Sequence, residues 1–399
     1  MELLNQYRAL VGDKKIDEII NESEPLRNKQ ITHINSTYYG GGVAEVLDGL
    51  VPLMNDVGIK AGWRLLKGSE PFFNITKLFH NGAQGGEVEL DEDTKRVYEE
   101  MCEHNSKFMH FDASQVIVAH DPQVLPLIKY YDKDKPWIWR CHIDITSPNK
   151  RLWNYLKSFI EQYDEMVVSD PEYFKNNIDI SQSVIMPSIN PLNDKNKELS
   201  KKERRKYLQE AGIKIDKPII SQISRYDRWK DPLGVIEVFK RVKKETDCRL
   251  VLLGNSATDD PEGEDTYKRV LKQAQDMKDV EILLNVEKND LVVNALQAES
   301  RVVLQKSLRE GFALTVSEAL WKGVPVVAGN VGGIPNQIKE GRNGFLVKNI
   351  EECADKVTEL LKNEKKRKEM GEYGREYVRE NFLITRHLLD YIKLLKKYI

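Results

Sequence analysis

The segment Arg301–Gly329, RVVLQKSLREGFALTVSEALWKGVPVVAG, decides the fold. Its opening, Arg301–Ser307, is an apolar run of strand length. A loop follows, and then Val316, Ala319 and Leu320 fall on the buried stripe of a helix that must begin near Leu314 or Thr315. Gly323, ahead of Val324 and Pro325, ends that helix: glycine takes the left-handed conformation that closes a helix, and proline cannot continue it. Val324–Gly329 is a second short apolar run. Strand, helix and strand in immediate succession make the unit of a parallel sheet covered by helices.

The same alternation extends along the chain, so the fold class is α/β. In the second half strands are expected at Pro218–Ser224, Arg249–Gly254, Val280–Leu284 and Gly344–Val347 as well. In the first half they are expected at Gln30–Asn35, Gln115–His120, Trp137–His142, Glu165–Ser169 and Ser183–Pro187. Val43, Val46, Leu47, Leu50, Met54 and Val57 mark a helix that stops at Gly58. Between Asn190 and Lys206 the chain turns to Asn, Asp, Lys and Glu, which suits an exposed connection between domains. Two domains, 1–192 and 193–380, are therefore expected, as the length of 399 residues also suggests. The last segment, 381–399, reads as a helix whose Leu388, Leu389, Ile392, Leu395 and Ile399 need a surface to pack on, expected on the first domain.

Composition narrows the function classes. With 61 basic and 63 acidic residues there is no excess of positive charge for nucleic acid, and the densest basic run, Lys201–Lys206, is interrupted by Glu203 and reads as a solvated helix face. No run approaches the roughly 20 apolar residues of a membrane span. The lysines 393, 396 and 397 suit a solvated face and the helix dipole better than a membrane surface. The start, MELLNQYRALVGDKK, lacks the pattern of a secretory signal, so a cytoplasmic protein is expected. Cys102, Cys141, Cys248 and Cys353 stand far apart with no CxxC spacing, which reads as buried free thiols rather than as disulfides or a zinc site.

In open parallel sheets ligands bind beyond the carboxyl ends of the strands. After the first strand, Gly40-Gly41-Gly42 leads into a helix and would offer bare N–H groups to an anion. It is not the dinucleotide fingerprint, because Glu45 stands where a third small residue is wanted. The next strands run out at His120-Asp121 and at His142-Ile143-Asp144, and His142 with Asp144 is the better pair to grip a polyhydroxy compound. In the second half, Arg225 and Lys230 follow a strand directly and are the candidates for holding a diphosphate, the one as a fork and the other as a point charge, with Arg228 as a competitor. Gly311 allows close backbone approach, and the N–H groups of Leu314 and Thr315 would face the same phosphate. A carboxylate there is tolerable only if it meets hydroxyls, which points Glu310 at a sugar and Glu318 at a ribose. Thr315 with Glu318 in the first turn also fits a capping box, a structural use of the second glutamate.

These residues resemble the retaining glycosyltransferases of group four, which have the GT-B architecture: two Rossmann-like domains with parallel sheets facing a central cleft. The resemblance spans nearly the whole chain. It implies that Arg225 and Lys230 bind the donor diphosphate, that Glu310 and Glu318 are the family's paired glutamates, with the latter on the ribose, and that Gly40–Gly42 is its N-terminal glycine loop. HINSTYYGGGVAEVL, PFFNITKLFHNGAQG, WIWRCHIDITSPN and SLREGFALTVSEALWKGVPV are most similar to the trehalose glycosyltransferring synthases within that family. That implies transfer of glucose from ADP- or UDP-glucose to free glucose, reversibly, with retention of configuration and the acceptor's proton passing to the leaving phosphate. One departure is Met186-Pro187-Ser188-Ile189-Asn190, where many members carry Pro-Asn-Gly.

On this reading Arg225 and Lys230 stabilise the departing diphosphate, so neither a metal nor a cofactor is required. The one Asp-x-Asp, Asp132–Asp134, precedes a strand and lies at the wrong end of the sheet. His142 and Asp144 orient the sugars, with His80, Asn81 and Gln84 as further acceptor-side candidates. The partners are sugars and a sugar nucleotide, without nucleic acid or a membrane span, and a homodimer is left open. A trehalose phosphorylase, a nucleotide-sugar epimerase and a non-catalytic sugar-nucleotide sensor are the competing readings.

Overall fold

The computed structural model describes residues 1–38, 41–255 and 262–399. The chain separates into two compact units, one of Met1–Ser188 with Ile384–Ile399, the other of Ile189–Leu383. The boundaries fall at Ser188 and Leu383 rather than at 192 and 380, because the polar connection is part of the second unit. Asn196 is buried there: its carbonyl accepts the Trp321 indole N–H at 3.2 Å and its side-chain oxygen accepts Lys322 at 2.9 Å. The Asn294 amide donates to the carbonyls of Asp194 and Lys197 at 2.9 and 2.8 Å. A polar segment can be buried when its groups find such partners. The basic run keeps its expected character, opening a helix, Lys201–Glu210, that a Ser200–Glu203 capping box starts and that buries only Leu208.

The first unit holds a parallel six-stranded sheet. Its strands are β1 (Gln30–Asn35), β2 (Lys60–Leu65), β3 (Val116–His120), β4 (Trp137–Arg140), β5 (Glu165–Val168) and β6 (Ser181–Val184), in the order β2-β1-β3-β4-β5-β6. The second holds β7 (Ile219–Ile223), β8 (Arg249–Gly254), β9 (Val280–Leu284), β10 (Ser300–Gln305), β11 (Val326–Gly329) and β12 (Gly344–Val347), also parallel, in the order β12-β11-β10-β7-β8-β9. Strand order reverses between β1 and β3 in one sheet and between β7 and β10 in the other, and such switch points are where crevices open at the carboxyl edge.

β2 was not foreseen. It sits at the edge of its sheet, paired only to β1, with Lys60, Arg64 and Leu65 exposed or nearly so, and therefore carries no apolar run to betray it. β3 and β4, paired on both sides, are buried throughout. Alternate residues divide between the two faces. Ile117, Trp137 and Trp139 face a core completed by Phe72, Phe79 and Leu152.

The opposite face carries His33 and Arg140 and receives the helix Ile384–Leu395, whose Tyr391 ring meets His33 edge-on at 5.7 Å. That helix also packs on the helices Asp13–Ser23 and Gly42–Asp56. Its lysines are engaged with the first unit: Lys393 with Glu18, Lys396 with Glu22 and Lys397 with Glu165. All four cysteines are free and buried. Among the described residues no helix is long and apolar enough to cross a membrane.

Candidate functional site

In the second unit the switch point gathers the basic and acidic candidates. After β7 the chain passes Arg225 and makes a single 3₁₀ turn, Arg228–Lys230, fixed by buried Asp227, whose carboxylate accepts the N–H groups of Trp229 and Lys230 at 2.9 and 3.1 Å. Arg225 lies 3.4 Å from the same carboxylate. Asp231 then takes a left-handed conformation (φ 47°) and caps the helix Pro232–Val242 through the Gly234 N–H. These bonds aim Lys230 toward the loop after β10, where its ammonium pairs directly with Glu310.

Glu310 is buried apart from that contact, and one carboxylate oxygen also accepts the amide of Gln305 and the hydroxyl of Ser307, each at 3.2 Å. Both loops are tied together beneath the pair. Gln222 donates to the Lys230 carbonyl at 3.0 Å, the Leu308 N–H donates to the Trp229 carbonyl at 2.7 Å, and buried Lys306 pairs with Asp231. A Cβ on Gly329 would stand 2.3 Å from the Ser307 carbonyl, and one on Gly333 2.7 Å from that of Gly311, so both loops rest on glycine at close approach. Arg228 instead lies over the Trp229 ring at 4.6 Å.

Glu318 behaves differently. The helix runs Leu314–Trp321 behind Ala313, which has φ 70°, so Glu318 lies in the second turn and not the first. No capping box forms: the Thr315 hydroxyl donates to the Ile223 carbonyl at 3.3 Å, while Glu318 accepts the Gln297 amide at 3.0 Å and has Lys195 at 3.8 Å. Glu318 is 3 % exposed. The N–H groups of Leu314 and Thr315 stand in the first turn, where a helix leaves its donors unpaired, alongside the strand end that carries Arg225.

In the first unit, Gly41 (φ 98°) precedes the helix Gly42–Asp56 and has no side chain with which to cap it; Gly40 lies outside the described residues. His142 follows β4 and is bound through Nε2 to His120 Nδ1 at 2.9 Å. Asp144 is buried and its Oδ1 accepts both the N–H and the hydroxyl of Thr146, at 2.9 and 2.7 Å, so it shapes its own loop. His80 and Asn81 close the helix Glu70–Ala83, and Gln84 follows as its C-cap. The helix end is fastened to the loop after β4 by the Asn149 N–H on the Gly82 carbonyl at 2.8 Å. The side-chain oxygen of Gln84 is buried without a hydrogen-bond partner. Asp132 and Asp134 lie in an exposed turn ahead of β4, at the amino edge.

Burial pushes the imidazoles of His120 and His142 well below the usual histidine range, and the Arg140 cation adds to this. Asp121, just past β3 with φ 62°, is pushed up to about 7 by burial, against the pull of the His142 N–H that it accepts at 2.7 Å and of Arg140. Arg140 is fully buried: its two terminal nitrogens donate to the carbonyls of Cys141, Val167 and Ile185 and to the hydroxyl of Ser169, while its Nε has no hydrogen-bond partner among the described residues.

Sequence reasoning missed the partners that hold the candidates: Lys306, Gln305, Gln297 and Lys195 around the glutamates, and His33 behind His120. Gln305 ends β10 and Lys306 follows it in the manner of Arg225 after β7, a position that marks both as candidates. Gln297 and Lys195 reach Glu318 only through tertiary packing. The departing stretch Met186–Pro187 is fixed from the C-terminal helix, where Arg386 donates to both carbonyls at 2.7 and 2.9 Å and His387 Nδ1 lies 2.9 Å from the first.

Residues 33–175 match the family model of the trehalose synthase N-terminal domain, and residues 203–377 that of the group 1 glycosyl transferases. The chain is 43% identical over 396 residues to a trehalose synthase of Pyrococcus horikoshii, covering 98% of this chain and 95% of that one. It is 40% identical over 405 residues to a trehalose synthase of Rubrobacter xylanophilus, covering 99% and 97%. Among solved structures it is similar, with a TM-score of 0.74 and 12% identity over 92% of this chain and 100% of the other, to an α,α-trehalose-phosphate synthase (UDP-forming) from Burkholderia xenovorans in complex with glucose-6-phosphate, a likeness of fold.

Proposed function

The chain belongs to the trehalose synthase family of glycosyltransferases, and from that premise we propose that it moves glucose from a nucleoside diphosphate glucose, ADP- or UDP-glucose, to free glucose, giving trehalose reversibly and with retention. The observation that carries this reading is the Lys230–Glu310 pair at the switch point of the second sheet, with Arg225 on the same loop. Lys230 has three donors and spends one on Glu310, which leaves two for a diphosphate. Arg225 adds a second cation. As the C1–oxygen bond of the donor breaks, charge gathers on the departing diphosphate, and preorganised cations stabilise that charge in the way a metal ion does elsewhere. The bond from C1 to the acceptor oxygen forms on the same face, and the acceptor's proton ends on the leaving phosphate.

Glu310 serves in this scheme as acceptor for the hydroxyls of the transferred sugar, and Gly311 with the N–H groups of Leu314 and Thr315 lines the phosphate. Glu318 receives the ribose, for which Gln297 and Lys195 must yield part of their hold. On the first unit His142 is the foremost contact for sugar. Gln84 contributes a buried unpaired oxygen, which costs about 1–3 kcal/mol until a hydroxyl donates to it. Asp144 supports these contacts through its loop, and His80 and Asn81 flank them. The helix behind Gly41 and Gly42 offers its positive end to an anion.

Presenting ADP-, UDP- and GDP-glucose with glucose or glucose 6-phosphate, and identifying the disaccharide, tests donor and acceptor together. Trehalose formed from ADP- or UDP-glucose and glucose is the expected result. Release of glucose 1-phosphate from trehalose and inorganic phosphate, with no transfer from any nucleotide sugar, would make the protein a phosphorylase instead.

A further inference from the structure

Three histidines form a ladder across the first sheet. His33 on β1 stands opposite Val118 on β3, and His120 on β3 stands opposite Arg140 on β4. Each step of two residues keeps the same face, so His33 on β1, His120 on β3 and His142 just past the end of β4 advance diagonally toward the carboxyl edge. Their rings meet. His33 Nδ1 is 3.0 Å from His120 Nε2, and His120 Nδ1 is 2.9 Å from His142 Nε2.

At the inner end, His33 Nε2 is buried without a partner, against the edge of Tyr391. At the outer end, Nδ1 of half-buried His142 has no partner among the described residues. Arg140, His387, Asp121 and Tyr391 are the ionisable groups around the three rings. The first two hold the imidazoles uncharged together with burial.

A neutral imidazole has one N–H and one lone pair, so the ladder can run in only two directions. In one, His142 donates inward and the chain ends on a His33 Nε2–H buried with nothing to accept it. In the other, every ring carries its proton on Nδ1: His33 donates to His120, His120 donates to His142, and the buried end is a bare lone pair. Buried N–H groups without an acceptor are the rarer defect in folded proteins. We infer that the ladder runs outward, so that His33 and His120 act as positioning residues that fix His142 as an Nδ1–H donor toward the sugar oxygen it meets. His142 is thereby an uncharged donor and not a proton-exchanging base. Its role at the sugar rests on the function proposed above; the direction of the ladder does not.

Long-range ¹H–¹⁵N correlation on ¹⁵N-histidine-labelled protein reads the tautomer of each ring directly. The protein has seven histidines, so assignment by single substitutions is practical. Protonated Nδ1 on His33, His120 and His142 is expected, against the Nε2–H form that free histidine prefers, and Nε2–H on His142 would overturn the inference. His33→Asn keeps a donor near Nδ1, while His33→Leu removes it. Turnover in His33→Leu should fall about tenfold, the weight of one well-made hydrogen bond, with KM unchanged and the His142 ring no longer held in one tautomer. His33→Asn should restore turnover to within about threefold. Equal losses in the two variants would reduce His33 to packing and overturn its positioning role. If His33→Leu does not fold, the labelled wild-type protein and His33→Asn decide alone. Full turnover in His142→Leu, with the ring protons where inferred in the wild type, would remove His142 from the sugar while the ladder's direction stood.

Discussion

Lys230 and Glu310 are each other's partner, and both side chains are largely buried, at 16% and 10% exposure. Their energies are therefore coupled. Lys230→Ala should lower kcat/KM by about 10²–10³, the usual loss when one preorganised charge at a departing group is removed. It also strands Glu310, so Glu310→Gln in the same chain should recover about 1–3 kcal/mol of stability relative to additivity. A double-mutant cycle by chemical denaturation measures this, and strictly additive effects would mean that the pair is not energetically formed. Burial of the histidines gives a second expectation at this scale. His33 titrates near 6.5 in an unfolded chain and at about 4 when folded, so the stability it leaves intact above pH 6.5 is lost as pH falls toward 4, on the order of 3 kcal/mol. His120, His142 and His387 are lowered in the same sense. Asp121, raised to about 7, works the other way and loses stability as pH rises from about 4 to 7, but it is one group against four. Thermal midpoints should fall steeply between pH 6.5 and 5, and His33→Asn should flatten the slope by about one proton; midpoints that rise on acidification would contradict this. The site was legible where a side chain follows a strand end within a few residues, as Arg225, Lys230, Glu310 and His142 do. His33 was hidden because its importance lies in the register that sets it two rungs behind His120.

Elements were legible in proportion to the apolar run that each carries. β1, β8 and β12 keep the bounds expected of them, since apolar runs and flanking turns coincide in a largely buried strand, and β9 keeps its bounds too, as a half-buried edge strand whose Val280, Ile282, Leu283 and Leu284 still form an apolar run. β2 escaped because an edge strand with one neighbour can carry Lys60 and Arg64, and β6 slipped toward the residues before Val184 for a similar reason: it is an edge strand of half-exposed Ser and Gln. The helix Leu314–Trp321 and its start were located correctly, but its cap was misread. Thr315 looked like a cap, whereas the turn is made by Ala313 in a left-handed conformation that sequence gives no reason to expect of alanine. What the loops before this helix need instead is space. Gly329→Ala places a methyl group 2.3 Å from the Ser307 carbonyl, a backbone atom that cannot swing aside. The loop carrying Glu310 must move, so the substitution should cost about 1–3 kcal/mol and weaken nucleotide-sugar binding at the same time. Calorimetry and a binding isotherm on one preparation test both, and an unchanged affinity in the destabilised variant would uncouple Gly329 from the site.

At the scale of the whole molecule, the chain leaves its first unit at Ser188 and re-enters it at Ile384, so the last residues belong to the fold of the first. Ile384, Leu388, Leu389, Ile392 and Leu395 are each at most 2% exposed, and Tyr391 closes the sheet face that bears His33 and Arg140. At about 1.5–3 kcal/mol for each such side chain, the helix contributes on the order of 10 kcal/mol as an upper bound, comparable to the whole stability of an ordinary domain. The second unit owes it nothing comparable, since its core is built from its own residues, among them Ile220, Val235, Phe239, Leu250, Leu304 and Val357. Truncation after Leu383 should therefore unfold one unit and spare the other. Hydrogen exchange read by mass spectrometry should show the amides of β1, β3 and β4 losing protection while those of β7, β8 and β10 keep it. The truncated chain should still bind a nucleoside diphosphate through Arg225 and Lys230 but carry out no transfer. Protection lost in both units together would mean that their stabilities are inseparable, and protection kept in β1 would mean that the returning helix is dispensable to the sheet it covers.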